Sequence, residues 1–273
     1  MQNRTPDGQV LSESAMLASF AEHSIGVPLF FFESTDSTNT RALQLLREGA
    51  EPPFAVLAKS QSSGRGRFDR KWVDESGKSI LLTVALPVCG ASNADWGAFC
   101  PACAACICGD LRAYSGADLM LKWPNDIYIG GKKLSGMIAE AISKDGKLNS
   151  VILGVGLNFM RSLSMDEKLA SSVCDIFSNS SKPINICDCC SVMLGAILRA
   201  HERICNADLA FLKPEFERFD LLKGLSVSVN NFNSIVSGVA DGIDASGNLI
   251  LKTEGGICLC RAGEASIIKG FLK

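Results

Sequence analysis

The chain has 273 residues, 47% of them hydrophobic and 21% charged, enough for a sizeable core arranged as one large domain and a small one. A net charge of −2 and a pI near 5.8 leave no global positive field to draw in nucleic acid or an anionic membrane. The first 26 residues lack an apolar stretch ahead of a small-residue cleavage site, and the longest apolar run, 80–88, is too short for a bilayer, so neither export nor insertion is expected and the cytoplasm is the expected compartment.

In chain order, residues 1–26 form a polar lead-in with a helix over 12–22, too short for a separate helix-turn-helix domain. A strand at 29–33 precedes Asp36-Ser37-Thr38-Asn39, which caps a helix over 40–48 that stops at Gly49. A second strand at 55–59 leads into 61–78, a loop rich in Gly, Ser and charge, and then into an apolar strand at 80–86. Pro101 occupies a first helical turn and opens a helix over 102–114.

A strand at 119–122 enters a hairpin. Ile127, Tyr128 and Ile129 alternate, and Gly130-Gly131 is a two-residue turn in which both positions tolerate positive φ. Pairing across that turn sets Ile129 against Lys132, Tyr128 against Lys133 and Ile127 against Leu134. Ile127, Ile129 and Leu134 then share an apolar face, and Asp126, Tyr128 and Lys133 share the other. A carboxylate, a phenol and an ammonium on one face are poor core material, although a solvated hairpin carrying a surface ion pair has the same pattern.

The continuous apolar run 151–157 predicts a strand buried on both faces. A Ser-rich aperiodic connection over 161–183 separates it from helical patterns at 184–206 and 209–219. After Gly224 the grammar changes to short alternating segments at 225–229, 234–239, 249–252, 258–261 and 264–268, parted by Asp-Gly, Ser-Gly and Gly-Gly turns, which predicts a small antiparallel barrel. The expected division is a lead-in at 1–26, a larger domain at 27–222 and a small barrel at 223–273.

Three stretches outside the hairpin carry chemistry. Gln61 to Trp72 includes Gly64-Arg65-Gly66-Arg67, and from Gly64 to Trp72 the charge is +3. Glycines let backbone N–H groups approach a phosphate, arginines offer forked donors to phosphate or carboxylate, and Trp72 offers a face for a base. By itself such a string also fits a solvated loop or a nucleic-acid-binding segment. Asp36-Ser37-Thr38-Asn39 exceeds what one helix cap needs, and hydroxyls supply both donors and acceptors to a polar ring. Gly154-Val155-Gly156-Leu157-Asn158 is either a close strand crossing or a strand end that admits a ligand.

Lys122-Trp-Pro-Asn-Asp-Ile-Tyr-Ile-Gly-Gly-Lys-Lys-Leu-Ser-Gly-Met-Ile-Ala-Glu140 resembles the signature of biotin protein ligases, and the DSTN, GRGR and strand-end stretches follow the same family's order over residues 30–160. Residues 238–264 resemble its C-terminal domain. Phe68 and Asp69 depart from the small or basic residues more usual there, and the motifs of lipoate ligases, which share the fold, are absent. The resemblance implies an α+β fold: a mixed, mainly antiparallel sheet packed with helices, followed by an SH3-like barrel. The implied activity is ATP-dependent formation of biotinyl-5′-AMP and transfer of biotin to a lysine of a biotin carboxyl carrier domain. The carrier is then the partner, with no nucleic acid and no membrane; the repressor role of some members is not implied, and a homodimer stays open.

The resemblance also assigns residues. Biotin is held by Ser37, Thr38, Asn39, Gln61, Arg65, Gly66, Arg67, Lys133, Gly136 and Gly154. ATP is contacted by Arg65, Arg67, Trp72, Asn125, Lys133 and Asn158. Lys133, Asp126, Arg65 and Arg67 are the catalytic set, and Mg²⁺ accompanies the leaving pyrophosphate with no side chain assigned to it.

Twelve cysteines, seven of them clustered at 100–108 and 187–190, are expected to be reduced. Cys100, Cys103 and Cys106 have the spacing of an iron–sulfur site but equally form an apolar stripe on a helix, and the stripe is preferred because the resembled family has a buried helix there. His23 and His201, the two histidines, are too few for a three-histidine zinc site.

Overall fold

The computed structural model describes residues 11–68, 70–88, 95–144, 146–160, 167–230 and 234–268. The expected charge at Asp69 and the first ten residues of the lead-in lie outside them.

The order of elements follows the sequence reading closely. Helix α1 (Glu13–Glu22) is capped by Ser12, whose hydroxyl accepts from Ala15 N. Strand β1 (Leu29–Phe32), helix α2 (Thr38–Arg47), β2 (Phe54–Ala58) and β3 (Ser79–Pro87) follow, then α3 (Phe99–Ser115), β4 (Met120–Lys122), β5 (Asp126–Ile129), β6 (Lys132–Lys144) and β7 (Lys147–Asn158). Two short helices, α4 (Glu167–Ser172) and α5 (Ile176–Asn179), stand where an aperiodic connection is expected. They are too brief to produce a periodic signal. Helices α6 (Ile186–Cys205) and α7 (Leu212–Glu217) complete the larger domain.

Seven strands form one sheet in the order β1-β2-β3-β7-β6-β5-β4, with β1 and β2 parallel and every other pair antiparallel. Both faces of its centre are covered. Leu57, Leu82, Val84 and Leu153 pack toward α3 and α6, whereas Val56, Ala85 and Ile152 pack toward Ala42 and Leu45 of α2. This two-sided burial is why β2, β3 and β7 read as unbroken apolar runs.

Helix α2 begins at Thr38, two residues before the expected start, so Thr38 and Asn39 lie inside its first turn. The central hairpin also differs in register. Ile129 pairs with Lys132 and Tyr128 with Lys133, but Ile127 pairs with Ser135 and Asp126 with Gly136. Leu134 is the extra residue of a β-bulge, and because it is fully buried the apolar face survives the shift.

The C-terminal strands β8 (Ser226–Asn230), β9 (Ile235–Ile243), β10 (Leu249–Thr253), β11 (Gly256–Cys260) and β12 (Glu264–Ile267) form an antiparallel sheet in the order β11-β10-β9-β8-β12. Among the described residues β11 and β12 do not pair, so this small unit is an open sheet and the expected SH3-like barrel is not closed. It docks on the larger domain through the buried indole of Trp123, which donates to Gly247 O at 2.9 Å.

Among the described residues ten cysteines carry free thiols, while Cys205 is disulfide-bonded, against the expectation of reduced thiols throughout. Cys103 and Cys108 of α3 and Cys189 and Cys190 of α6 are buried in the main core, where desolvation pushes their thiols up. No helix among the described residues is long and apolar enough to cross a membrane.

Candidate functional site

A cavity of about 320 Å³ opens where α2, the Gly-Arg loop, the β5–β6 hairpin, β7 and the start of β12 meet. All fourteen residues singled out from the sequence line it: Ser37, Thr38, Asn39, Gln61, Arg65, Gly66, Arg67, Trp72, Asn125, Asp126, Lys133, Gly136, Gly154 and Asn158.

One end is polar and buried. Gln61 Oε1 accepts from Thr38 N at 2.7 Å and from Thr38 Oγ1 at 3.1 Å, so a side chain from the following loop caps α2. Ser37 stands at the N-cap position but its side chain makes no cap bond, while Asp36 Oδ1 takes Ser37 N at 2.7 Å. The Ser37 hydroxyl therefore has no capping duty. Thr83, fully buried on β3, shares its hydroxyl hydrogen between Asn39 Oδ1 at 2.7 Å and Thr38 Oγ1 at 2.9 Å. Asn39 Nδ2 donates to Glu140 Oε1 at 2.7 Å. Thr38 and Asn39 are thus fixed by protein partners and form a rigid wall, leaving a second lone pair on each oxygen and the second Asn39 Nδ2 hydrogen for a ligand. A Cβ at Gly154 would stand 2.0 Å from Asn39 Oδ1, so only glycine lets the amide lie against the strand.

The other end is cationic. Arg65 Nη2 pairs with Glu140 Oε1 at 2.9 Å. Arg67 donates to Asn125 Oδ1 at 2.7 Å and to Gly263 O at 2.8 Å. Arg70 forms a two-pronged pair with Glu264 at 2.7 and 2.6 Å, which holds the Glu264 carboxyl below its usual range. Asn125, itself buried, donates to Met137 O at 2.6 Å and so aims its oxygen at Arg67.

Lys133 Nζ lies 2.8 Å from Asp126 Oδ2. Their meeting depends on the bulge and on Gly136, whose absent Cβ would come within 3.0 Å of Lys133 Nζ and 3.2 Å of Asp126 Oδ1. Asp126 Oδ1 is buried and has no hydrogen-bond partner among the described residues. Next to this pair, burial pushes the Tyr128 phenol up to about 12 and lowers Lys122, whose ammonium sits 5.4 Å from the Tyr128 ring centre.

The Trp72 indole lies over Gly156, where any Cβ would stand 2.6 Å from the ring, and its buried Nε1 has no partner among the described residues. Asn158 donates to Cys174 O at 3.1 Å and borders a second cavity of about 350 Å³ lined also by Ile129, Met160, Val173 and Asp175.

Sequence reasoning missed Thr83, Lys122, Arg70, Glu264 and Ala265. Thr83 sits inside an apolar strand, where one hydroxyl is a faint signal. Glu264 and Ala265 lie far along the chain and reach the cavity only through the docking of the second sheet. The histidines stand apart: His201 Nε2 meets Pro87 O and His23 Nδ1 meets Ser19 O. Among the described residues no three His, Cys, Asp or Glu side chains gather to hold a metal.

Residues 31–158 match the biotin/lipoate A/B protein ligase family, and residues 227–267 match the biotin protein ligase C-terminal domain. The chain is 27% identical over 249 residues to the bifunctional ligase/repressor BirA of Bacillus spizizenii, covering 90% of this chain and 76% of that one. It is 36% identical over 124 residues to the biotin–[acetyl-CoA-carboxylase] ligase of Paracoccus denitrificans, covering 45% of this chain and 51% of that one. Among solved structures, the biotin protein ligase from Aquifex aeolicus in complex with biotin and ATP superimposes with a TM-score of 0.74 at 22% identity, covering 88% of this chain and 98% of that one.

Proposed function

We propose that the chain is an ATP-dependent biotin protein ligase, a reading supported by the match of residues 31–158 to the biotin/lipoate A/B protein ligase family and of residues 227–267 to the biotin protein ligase C-terminal domain. It joins the biotin carboxylate to the α-phosphorus of ATP with release of pyrophosphate, and then passes the biotinyl group from AMP to a lysine of a biotin carboxyl carrier domain. The observation that carries this reading is one cavity with a fixed polar wall at one end and the cationic side chains of Arg65, Arg67, Arg70 and Lys133 at the other.

In this reading the ureido ring of biotin sits on Ser37, Thr38, Asn39 and Gln61, between Gly136 and Gly154. Arg65, Arg67, Lys133 and the Gly66 backbone surround the carboxylate and the α-phosphate, where negative charge builds as five-coordinate phosphorus forms. Trp72, Asn125 and Asn158 hold the nucleotide, and the cavity beyond Asn158 leaves room for the part remote from the phosphates. Mg²⁺ fits this site as a companion of the nucleotide: Asp126 Oδ1 is the buried, unpartnered oxygen nearest the cations, and one carboxylate plus phosphates is an ordinary Mg²⁺ environment. Bound there, the ion would neutralise pyrophosphate.

For transfer the carrier amine must be uncharged, yet a lysine with a reference pKa of about 10.4 is protonated at neutral pH. Asp126 can take that proton once Lys133 turns from it to the phosphate. The amine then attacks the acyl carbon, the acyl–phosphate bond breaks and AMP leaves. Engagement of Arg67 and Arg70 by Asn125, Gly263 O and Glu264 favours this reading over nucleic-acid binding, since both guanidiniums are turned toward protein groups. The decisive assay is transfer of labelled biotin to a carrier domain with ATP and Mg²⁺. Labelling that requires both substrates is expected, and labelling with lipoate at an equal rate would overturn the choice of biotin.

A further inference from the structure

We infer that Glu140 is a positioning residue that ties the two ends of the site together, setting the Asn39 amide with one lone pair and Arg65 with the other. The inference rests on the ligase reading above and extends it to a residue that does not line the cavity.

Glu140 stands on β6 opposite Ile152, beyond Gly136 on the strand that carries Lys133. Its Oε1 accepts from Asn39 Nδ2 at 2.7 Å and from Arg65 Nη2 at 2.9 Å. An amide can face either way, and what fixes Asn39 is the pair of neighbours at its two ends: the Thr83 hydroxyl donates to Oδ1 and the Glu140 carboxylate accepts from Nδ2. Asn39 is 5% exposed, so a reversed amide would set Oδ1 against the acceptor-only Glu140 carboxylate where water cannot repair the mismatch. Truncation of the Glu140 side chain removes that orientation.

The Arg65 contact has a different consequence. The Arg65 side chain is 46% exposed and extends from a loop, so without an anchor it samples many rotamers. Glu140 holds it at the cavity edge before an anion arrives, through one nitrogen, which leaves the rest of the planar fork to the incoming carboxylate or phosphate. A chain of contacts therefore runs from Thr83 through Asn39 and Glu140 to Arg65, from the wall assigned to the ureido ring to the cation assigned to the anion.

The two contacts can be separated by substitution. Glu140→Gln keeps an Oε1 acceptor for Asn39 but removes the charge facing Arg65, while Glu140→Ala removes both. Biotin affinity without ATP and the single-turnover rate of biotinyl-AMP formation are measured for each variant beside the unaltered protein. Expected for Glu140→Ala is about tenfold weaker biotin binding, close to 1.4 kcal/mol, together with slower adenylation. Expected for Glu140→Gln is biotin binding within about threefold of the unaltered protein, with adenylation still slowed. Normal values of both quantities in Glu140→Ala would overturn the inference. So would equal losses in both variants accompanied by a lower melting temperature, which would mean that Glu140 supports only the fold. Failure of the unaltered protein to form biotinyl-AMP would instead overturn the ligase reading itself.

Discussion

The two ends of the cavity are built by opposite means. The wall made by Thr38, Asn39, Thr83 and Gly154 is buried, its groups are hydrogen-bonded within the protein, and it hangs on α2 and the centre of the sheet. The cationic rim made by Arg65, Arg67, Arg70 and Lys133 is half exposed, comes mostly from a loop, and is held by Glu140, Glu264 and Asp126 in ion pairs that a ligand can replace. A neutral polar ring needs donors and acceptors that are already in place, because every reorganisation inside a core is costly. An anion whose charge grows during reaction needs cations that can move toward it. Changes to the wall should therefore cost stability, and changes to the rim should cost rate.

The largest expected effect falls on Asp126, which serves the rim and the acceptor together. Asp126→Asn should slow transfer from pre-formed biotinyl-5′-AMP by roughly 10²-fold, the usual scale for loss of a general base, and slow adenylation less. Single-turnover labelling of the carrier across pH is the measurement. Transfer at the native rate with failed adenylation would confine Asp126 to the Mg²⁺–ATP step and overturn its role as the base in transfer.

Next is Arg65→Ala, which should slow adenylation on the order of tenfold, since Arg67 and Lys133 remain to meet the developing charge. Its melting temperature should scarcely change, because a partly exposed pair such as Arg65–Glu140 contributes little. A large loss of stability would erase the distinction between wall and rim.

Gly154→Ala tests the wall. The new methyl must displace the Asn39 amide, and overpacking of this kind costs about 1–3 kcal/mol, so the melting temperature should fall by roughly 2–10 °C and biotin should no longer protect against heating. Unchanged melting would mean that the wall yields.

The smallest effect belongs to Arg70→Ala, a few-fold rise in the KM for ATP at neutral pH and no more than about 1 kcal/mol of stability. The pH dependence has a definite sign. The Glu264 carboxyl is held below its unfolded value by Arg70, so the pair contributes above the ordinary carboxylate range and is lost as pH falls through the depressed folded value. The difference between Arg70→Ala and the unaltered protein should thus vanish in acid, as chemical denaturation at stepped pH would record.

Much of this was legible in the chain, for physical reasons. Alternation around Gly130-Gly131 gave the hairpin and its two faces, and unbroken apolar runs gave the doubly covered strands. The bulge at Leu134 was hidden because a buried leucine suits the apolar face in either register. The start of α2 was misplaced because polar residues that look like caps in a linear reading are held from outside, by Gln61 and Thr83. Fourteen cavity residues could be named because the family resemblance that assigns them is carried by local motifs, whereas Glu264 could not, since no spacing rule connects it to Arg70.

That last pair bears on how the protein comes into being. Arg67 and Gly263 are 196 residues apart in sequence, and Arg70 and Glu264 are 194 apart. A chain emerging from the ribosome can assemble the seven-stranded sheet and the Thr38–Asn39 wall well before β12 exists, since domains fold as units during synthesis. The Gly-Arg loop at that stage has no Gly263 carbonyl and no Glu264 to hold it. The anion rim is therefore completed last, with β12, and a polypeptide still short of that strand leaves Arg67 and Arg70 without two of the partners that orient them.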